Sequence, residues 1–566
     1  MKYSLVIHTS EGTIFSSLLR DEGMVTCFPF SLRIKRTQKE KYELFEITVS
    51  SRMKQEIYLS LMGEGKADFY SFNGICKKER IFRQSPHDPQ NYHFKMEKSA
   101  IPMVAAVENG KAAIWISDNP SYFDNATTQH IVPEGNRFYL SSGDKGGTPN
   151  NPESEPFAPI FHTVGGEKTH TFRFIAFHAD VDELKGIRRE AFLAIEKVWG
   201  KGSDSHYRAL CFASNYMHIR KNETGSSEKW IVAGIEYANT QYFRDAFYQS
   251  MILDEKMQNE SYLALNFECK EAENPLIYLI WSYRIVKHGK NFDRARTDRA
   301  FETVLACMNK FEPNDSYYPN GKENGDFRCW FDTCAFDRDD VDLYNQGLLV
   351  CALEAAKRLG YDIGDRKERA LAKYHALFNG NYFPLSQKKQ CLALDFTVGE
   401  VLYYLLFEEL FIDQTMFEKS YRKVCDSAAK TKYGIKIVAA EDGSYISTDI
   451  FKSGDYLYAG FKTMDTGRYQ NGGSWHLYEM LFHIAAYLHG MPDAEKNLTE
   501  RLLIDLDYDG ATHEYMHTIT GTGVKANQGW NAAVYAIWEE LIRRGKATDA
   551  FFRAADAKIA SLSSKK

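Results

Sequence analysis

No run in this chain approaches the roughly 18 apolar residues of a membrane-spanning helix. Ten cysteines are scattered without a CxxC pair, the closest being Cys329 and Cys334. That spacing excludes a zinc ribbon and a dense disulfide framework, and leaves reduced, buried thiols as the plain reading. Charge of one sign is also missing: the formal net charge is -6 and the pI is near 6.3. Without a basic field, a dedicated nucleic-acid binder is excluded. The start MKYSLVIHTSEGTIF meets acidic Glu11 before a signal-like apolar core can form, so the chain as given reads as soluble and cytoplasmic. A periplasmic or secreted protein trimmed of its signal peptide would read the same way. Aromatics are abundant, with 34 Tyr and 37 Phe, which suits sugar-stacking surfaces and large cores alike. At 566 residues the chain exceeds the roughly 250 to 300 at which single cores stop growing, so at least two domains are expected.

The patterning predicts an α+β multidomain protein. Residues 1–180 hold short alternating runs such as YELFEITVS, EIYLSLM, AAIWIS and HTFRFIAFHA, split by turn residues, and read as an antiparallel β-sandwich. The Gly-, Pro- and Ser-rich stretch at 141–158 reads as a long loop. A linker helix follows over 181–203, capped by Asp180 or Asp182 and ended by Gly200. Residues 204–566 are then expected to be all α. Helix-period runs cover 206–219, 241–257, 274–288, 295–312, 340–359, 364–378, 399–412, 414–428, 474–490, 492–506, 529–544 and 547–562. Twelve helices suit an (α/α)6 toroid, in which the loops entering the fifth, ninth and eleventh open on one rim. The Arg244-Asp245 pair begins the second helix by this count and has the wrong parity for that rim.

Three junctions on that rim carry chemistry. Asp332 follows Trp330 and Phe331 in RCWFDT, and an acid in aromatic, partly dry surroundings keeps the neutral form that a general acid needs. Its bland alternative is a loop carboxylate bonded to backbone. Downstream, Asp337, Asp339, Asp340 and Asp342 fail as a calcium loop, because the position for a bidentate Glu is Leu348. Asp339 or Asp340 is expected to cap a helix, with Asp342, Asn345 and Gln346 lining the site. The loop YQNGGSWH supplies Tyr469, Gln470, Asn471, Trp475 and His476, with Gly472 and Gly473 letting backbone approach a ligand. NQGWN repeats the amide and indole combination at Gln528 and Trp530, groups suited to bonding hydroxyls and stacking on sugar faces.

The third junction, DYDGATHEYMHTITGTG, holds Glu514 and also spells HExxH through His513 and His517, with Glu539 or Glu540 as a distant third ligand. The zinc signature works only on a helix, where both His share a face. Gly510, Thr512, Thr518, Thr520, Gly521 and Gly523 crowd the segment and favour an extended or turning path. Asp332 and Glu514 as two carboxylates among Trp, Tyr and Asn are what glycoside hydrolysis uses. Arg244 and Asp245 in FRDAF read either as a buried ion pair or as sugar contacts.

In FRDAF, the Asp332 loop with VDLYNQGLL, YQNGGSW, and HEYMHTITGTG leading into NQGWNAAVYA, the chain resembles the inverting (α/α)6 glycoside hydrolases, the group that includes trehalases and processing α-glucosidases. The resemblance implies Asp332 as general acid and Glu514 as general base, with Tyr515 and Thr520-Gly521 following the base. It departs from the trehalase signatures around both motifs. The expected activity is removal of a terminal, α-linked sugar with inversion, with carbohydrate as the partner and no metal or organic cofactor. A zinc metallopeptidase using His513, Glu514 and His517, and a non-catalytic carbohydrate-binding protein, are the alternatives from other classes.

Overall fold

The computed structural model describes residues 2–9, 12–18, 23–71, 74–76, 96–97, 103–117, 129–132, 137–142, 162–181, 183–216, 219–221, 229–231, 242–263, 271–308, 330–331, 336, 340–446 and 465–562. Two compact units result, one of residues 1–240 with 556–566 and one of residues 241–555. Helix and antiparallel sheet are both present. Among the described residues, no helix is long and apolar enough to cross a membrane.

The first unit is built on two antiparallel sheets. Alternation along strand Gln55–Glu64 turns Ile57, Leu59 and Leu61 to one side, and along Tyr42–Ser51 it does the same for Phe45, Ile47 and Val49. These residues meet in one buried cluster drawn from both sheets, with Trp115, Phe138, Phe172 and Phe174 among its members. Helix α1 (Leu184–Trp199) ends at Gly200, whose N–H donates to the Glu196 carbonyl at 3.0 Å. Asp182 lies outside the described residues, and the N-cap residue of α1 is Glu183, whose side chain makes no capping bond. Helix α2 (His206–Tyr216) packs on α1, and Arg208 Nε donates to Glu196 Oε1 at 3.0 Å.

The second unit contains α3 (Phe243–Ser250), α4 (Glu255–Leu263), α5 (Glu273–Lys287), α6 (Arg294–Met308), α7 (Leu343–Arg358), α8 (Arg366–Ala376), α9 (Val398–Phe407), α10 (Gln414–Cys425), α11 (His476–Leu488), α12 (Ala494–Asp509) and α13 (Ala533–Arg543), and a last helix, α14 (Ala550–Ser561), runs past its end at residue 555. The single helix expected over 241–257 is two helices. The Ser250 hydroxyl bonds back to the Phe247 carbonyl at 2.7 Å, and Asp254 Oδ1 accepts from Met257 N–H at 2.8 Å to start the next helix. That break removes the parity conflict of the Arg244-Asp245 pair. α3 packs on α5, α5 on α7, α7 on α9, α9 on α11, α11 on α13, and α13 on α3. The six alternate helices thus close a ring, with α4, α6, α8 and α12 packed against α3, α5, α7 and α11. Apolarity follows this placement. In α7 every residue but Lys357 and Arg358 is buried, whereas in α8 only Ala370 and Tyr374 are.

Candidate active site

Contacts among side chains bring the N-terminal ends of all six ring helices together. Arg244, at the start of α3, donates to Glu273 Oε1 on α5 at 2.6 Å and to Asp245 Oδ2 at 3.1 Å. Its guanidinium carbon lies 5.1 Å from the ring centroid of Trp530, in the turn that leads into α13. The Tyr344 hydroxyl on α7 is 3.5 Å from Glu273 Oε1. Trp330 Nε1 donates to Asp395 Oδ2, just before α9, at 2.8 Å, and its ring stacks on Tyr478 of α11 at 4.0 Å. Tyr478 in turn meets Trp530 edge-on at 5.9 Å. Helix N-termini favour negative charge, and carboxyls have collected there.

Burial dominates the protonation of these carboxyls. It pushes Asp245 up to about 7, against the Arg244 cation and with the help of Glu271 and Glu514. Glu271 is also pushed up to about 7 by burial, with Arg244 opposing and Glu273 adding to the rise. Asp395 reaches about 7 through burial, against the Trp330 hydrogen bond. Glu273 and Asp342 are raised by burial as well. Several carboxyls poised near neutrality on one rim mark a place suited to proton transfer.

Glu514 sits in the strand His513–Met516, which pairs with Ser474–Trp475 on one side and Gly523–Ala526 on the other. The pairing of Trp475 with Tyr515 sets Trp475 beside the residue that follows Glu514. Lys525 Nζ lies 3.1 Å from Glu514 Oε2. Because HEYM is a strand, His513 and His517 do not share a helical face. His513 Nδ1 is 3.2 Å from Asp505 Oδ1 and its Nε2 is 3.3 Å from Asp509 Oδ1. Among the described residues no three His, Cys, Asp or Glu side chains are grouped to hold a metal.

The other expected site residues divide. Asp332 lies outside the described residues, as do Asp337 and Asp339. Trp330, Trp475 and Trp530 are buried together with Tyr478 in one aromatic cluster, with Trp330 and Trp475 at 5.0 Å and Trp475 and Trp530 at 5.9 Å. Gln470 Nε2 donates to the Trp330 carbonyl at 2.8 Å, which ties YQNGGSW to the residue two before Asp332. The Tyr469 carbonyl accepts from Trp475 Nε1 at 3.0 Å, with Tyr469 itself in a left-handed conformation at φ 46°. Asn471 closes the same turn through its backbone, 2.9 Å from the Arg468 carbonyl. The two glycines serve this turn: a Cβ on Gly473 would strike the Tyr469 carbonyl, and one on Gly472 would lie 2.8 Å from the Tyr445 ring.

Asp342, rather than Asp339 or Asp340, caps α7, accepting from Asn345 N–H at 2.7 Å, while Asn345 Nδ2 donates to its other oxygen at 3.1 Å. Asp340 instead accepts from the Ser386 hydroxyl at 2.7 Å. Gln346 Nε2 donates to the Ala370 carbonyl at 2.8 Å, toward α8. His476 Nδ1 bonds Asp505. Gln528 Nε2, Trp530 Nε1, the Tyr478 hydroxyl and Asp395 Oδ1 are buried with no hydrogen-bond partner among the described residues. The sequence reading missed Glu271, Glu273, Asp395, Tyr478 and Lys525. Of these, only Glu271 and Glu273 had a signal, two acids just ahead of Pro275 at a helix start.

No family model matches the chain, and no curated protein does. Among solved structures it is similar to a wild-type glycosidase at 12% identity, covering 61% of this chain and 97% of that one with a TM-score of 0.41. It is similar also to a GH63 mannosylglycerate hydrolase from Thermus thermophilus, at 12% identity over 59% of this chain and 100% of that one with a TM-score of 0.37. An uncharacterized conserved protein from the same organism matches at 15% identity over 35% of this chain with a TM-score of 0.26, and the chain spans 47% of its length. Likenesses at these scores decide neither fold nor chemistry, which rest on the residues above.

Proposed function

We propose that this chain is a glycoside hydrolase that removes a terminal, α-linked sugar with inversion. In this reading the six-helix ring is the inner layer of an (α/α)6 toroid spanning 204–566, preceded by a β-sandwich at 1–180 and a linker helix at 181–203. The observation that supports it most is the setting of Glu514, on a strand paired with the Trp475 strand, near a rim of helix N-termini rich in carboxyls and aromatics. Asp332 protonates the leaving oxygen; two residues before it, Trp330 is held by Asp395 and Gln470. Glu514 deprotonates a water on the opposite face of the ring, which calls for carboxyls roughly 6.5 to 9.5 Å apart. Arg244, Asp245 and the indoles contact the sugar, and the chemistry uses no metal or organic cofactor.

The test is a turnover screen over aryl glycosides and oligosaccharides, followed by two variants. Asp332→Asn is expected to slow substrates with poor leaving groups most, because an activated aryl group needs little protonation. Glu514→Gln is expected to slow every substrate. Proton NMR of the first-formed sugar should show the inverted anomer, and a retained anomer would mean that a carboxylate acts as nucleophile. Sugar binding without any turnover would replace the enzyme by a carbohydrate-binding protein, and chelator-sensitive peptidase activity would replace it by a metallopeptidase.

A further inference from the structure

Helix α12 ends in the sequence DLDYDG, with Asp505, Asp507 and Asp509 at its C-terminus and no basic residue in its last turn. Acids there oppose the helix dipole. A placement that breaks a local rule calls for a compensating partner. For Asp505 and Asp509 that partner includes His513. Arg501, Asp505 and Asp509 recur every four residues and share one face of α12, and that face grips the strands carrying Trp475 and Glu514.

Arg501 Nε donates to Glu479 Oε2 at 2.9 Å, its NH2 group to the Ser474 carbonyl at 3.2 Å, and its NH1 group lies 3.0 Å from Asp505 Oδ2. Glu479 also accepts from the Ser474 hydroxyl at 2.7 Å and from Ile435 N–H at 2.8 Å. Asp505 bonds His476 through one oxygen and faces His513 through the other, while Asp509 takes the far nitrogen of His513. The His513 ring fits because the third strand offers Gly523, where a Cβ would lie 2.5 Å from the imidazole. The His513 carbonyl accepts from Asn531 Nδ2 at 2.7 Å. The stripe therefore holds Ser474 and His476, which flank Trp475, and His513, which precedes Glu514. Because strand side chains alternate, the His513 ring lies on the face opposite Glu514.

We propose that Arg501, Asp505 and Asp509 are positioning residues that fix Glu514 and Trp475 relative to one another without touching substrate. This rests on Glu514 as the base. Misplacement of a reacting group by about 1 Å lowers rate by up to about 100-fold. Asp509→Asn, at the partly exposed end of the stripe, is expected to lower kcat on the order of tenfold or more with KM within about twofold and cooperative melting retained. Asp509→Glu, which keeps the charge, should restore most of it. Asp505→Asn should do more, and if it does not fold, Asp509→Asn decides alone. Wild-type kcat in folded Asp509→Asn, or a loss that only follows the folded fraction, would overturn the positioning role while Glu514→Gln remains impaired. Full activity in Glu514→Gln, or no turnover by the wild type, sinks the base assignment and this proposal with it.

Discussion

Replacing Gly399 by alanine tests the ring directly, because α7 and α9 touch backbone to backbone at that point. A Cβ on Gly399 falls within 2.8 Å of Gly347 Cα and closer still to its carbonyl. The obstacle is main chain inside a buried helix, which no rotamer change relieves, so the two helices must separate. Overpacking costs about 1 to 3 kcal/mol, and the rigid obstacle puts this case near 3. Alanine returns about 1 kcal/mol of helix propensity. The net loss of about 2 kcal/mol lowers Tm by about 4 °C, at the small shift per kcal/mol typical of large units. Gly347→Ala is the control. Its Cβ first meets Tyr374 Cε2 at 3.3 Å and Gly399 Cα at 3.6 Å, contacts that a small ring shift accommodates, so its stability should stay within about 1 kcal/mol of wild type. Scanning calorimetry of the full chain reads both variants. Separation of α7 from α9 also moves Asp342 and Asp395, so turnover should fall in Gly399→Ala and hold in Gly347→Ala. Equal melting of the two variants would refute the backbone contact.

Arg244→Met leaves Asp245, Glu271 and Glu273 without their cation and should destabilise by about 3 to 5 kcal/mol at pH 8. With two of these carboxyls at about 7, the deficit in urea unfolding should shrink at pH 5, and an equal deficit at both pH values would count against the cluster. Lys436 Nζ donates to the Ala428 and Gly443 carbonyls at 2.9 and 2.7 Å and lies 3.8 Å from the Tyr445 ring centroid. Lys436→Met should therefore cost about 1 to 3 kcal/mol and speed amide exchange at Lys436, Ala440 and Gly443, and unchanged exchange would show that the lysine does not hold that loop. Burial disfavours the His513 cation, but Asp509 and Asp505 outweigh it and push it up to about 9. A folded value above the unfolded one of about 6.5 contributes stability below that pH which is lost as pH rises through about 9, on the order of 3 kcal/mol. The stability gap between wild type and His513→Gln should accordingly narrow from pH 6 to pH 10, and a constant gap would mean that His513 is held neutral.

How much of this was legible in the sequence depended on the range of the interactions. Most helices were readable because a 3.6-residue apolar period is local. The break between α3 and α4 was missed because Ser250 and Asp254 end and start helices through hydrogen bonds that leave the apolar period undisturbed. The strands Ser474–Trp475, His513–Met516 and Gly523–Ala526 are too short for alternation to register, although the glycines and threonines around Glu514 did argue against a helix. HEYMH shows the limit most clearly. The same letters serve a zinc helix or this strand, and the outcome turns on Asp505 and Asp509, acids that look misplaced at the end of α12 until His513 is set against them. Gln470 and Trp330 are 140 residues apart, and Trp330 and Asp395 are 65 apart. No window of 11 to 18 residues spans such pairs. A closed ring makes them neighbours because it returns the start of every second helix to the same end, so polar residues scattered along the chain meet only once the ring has closed.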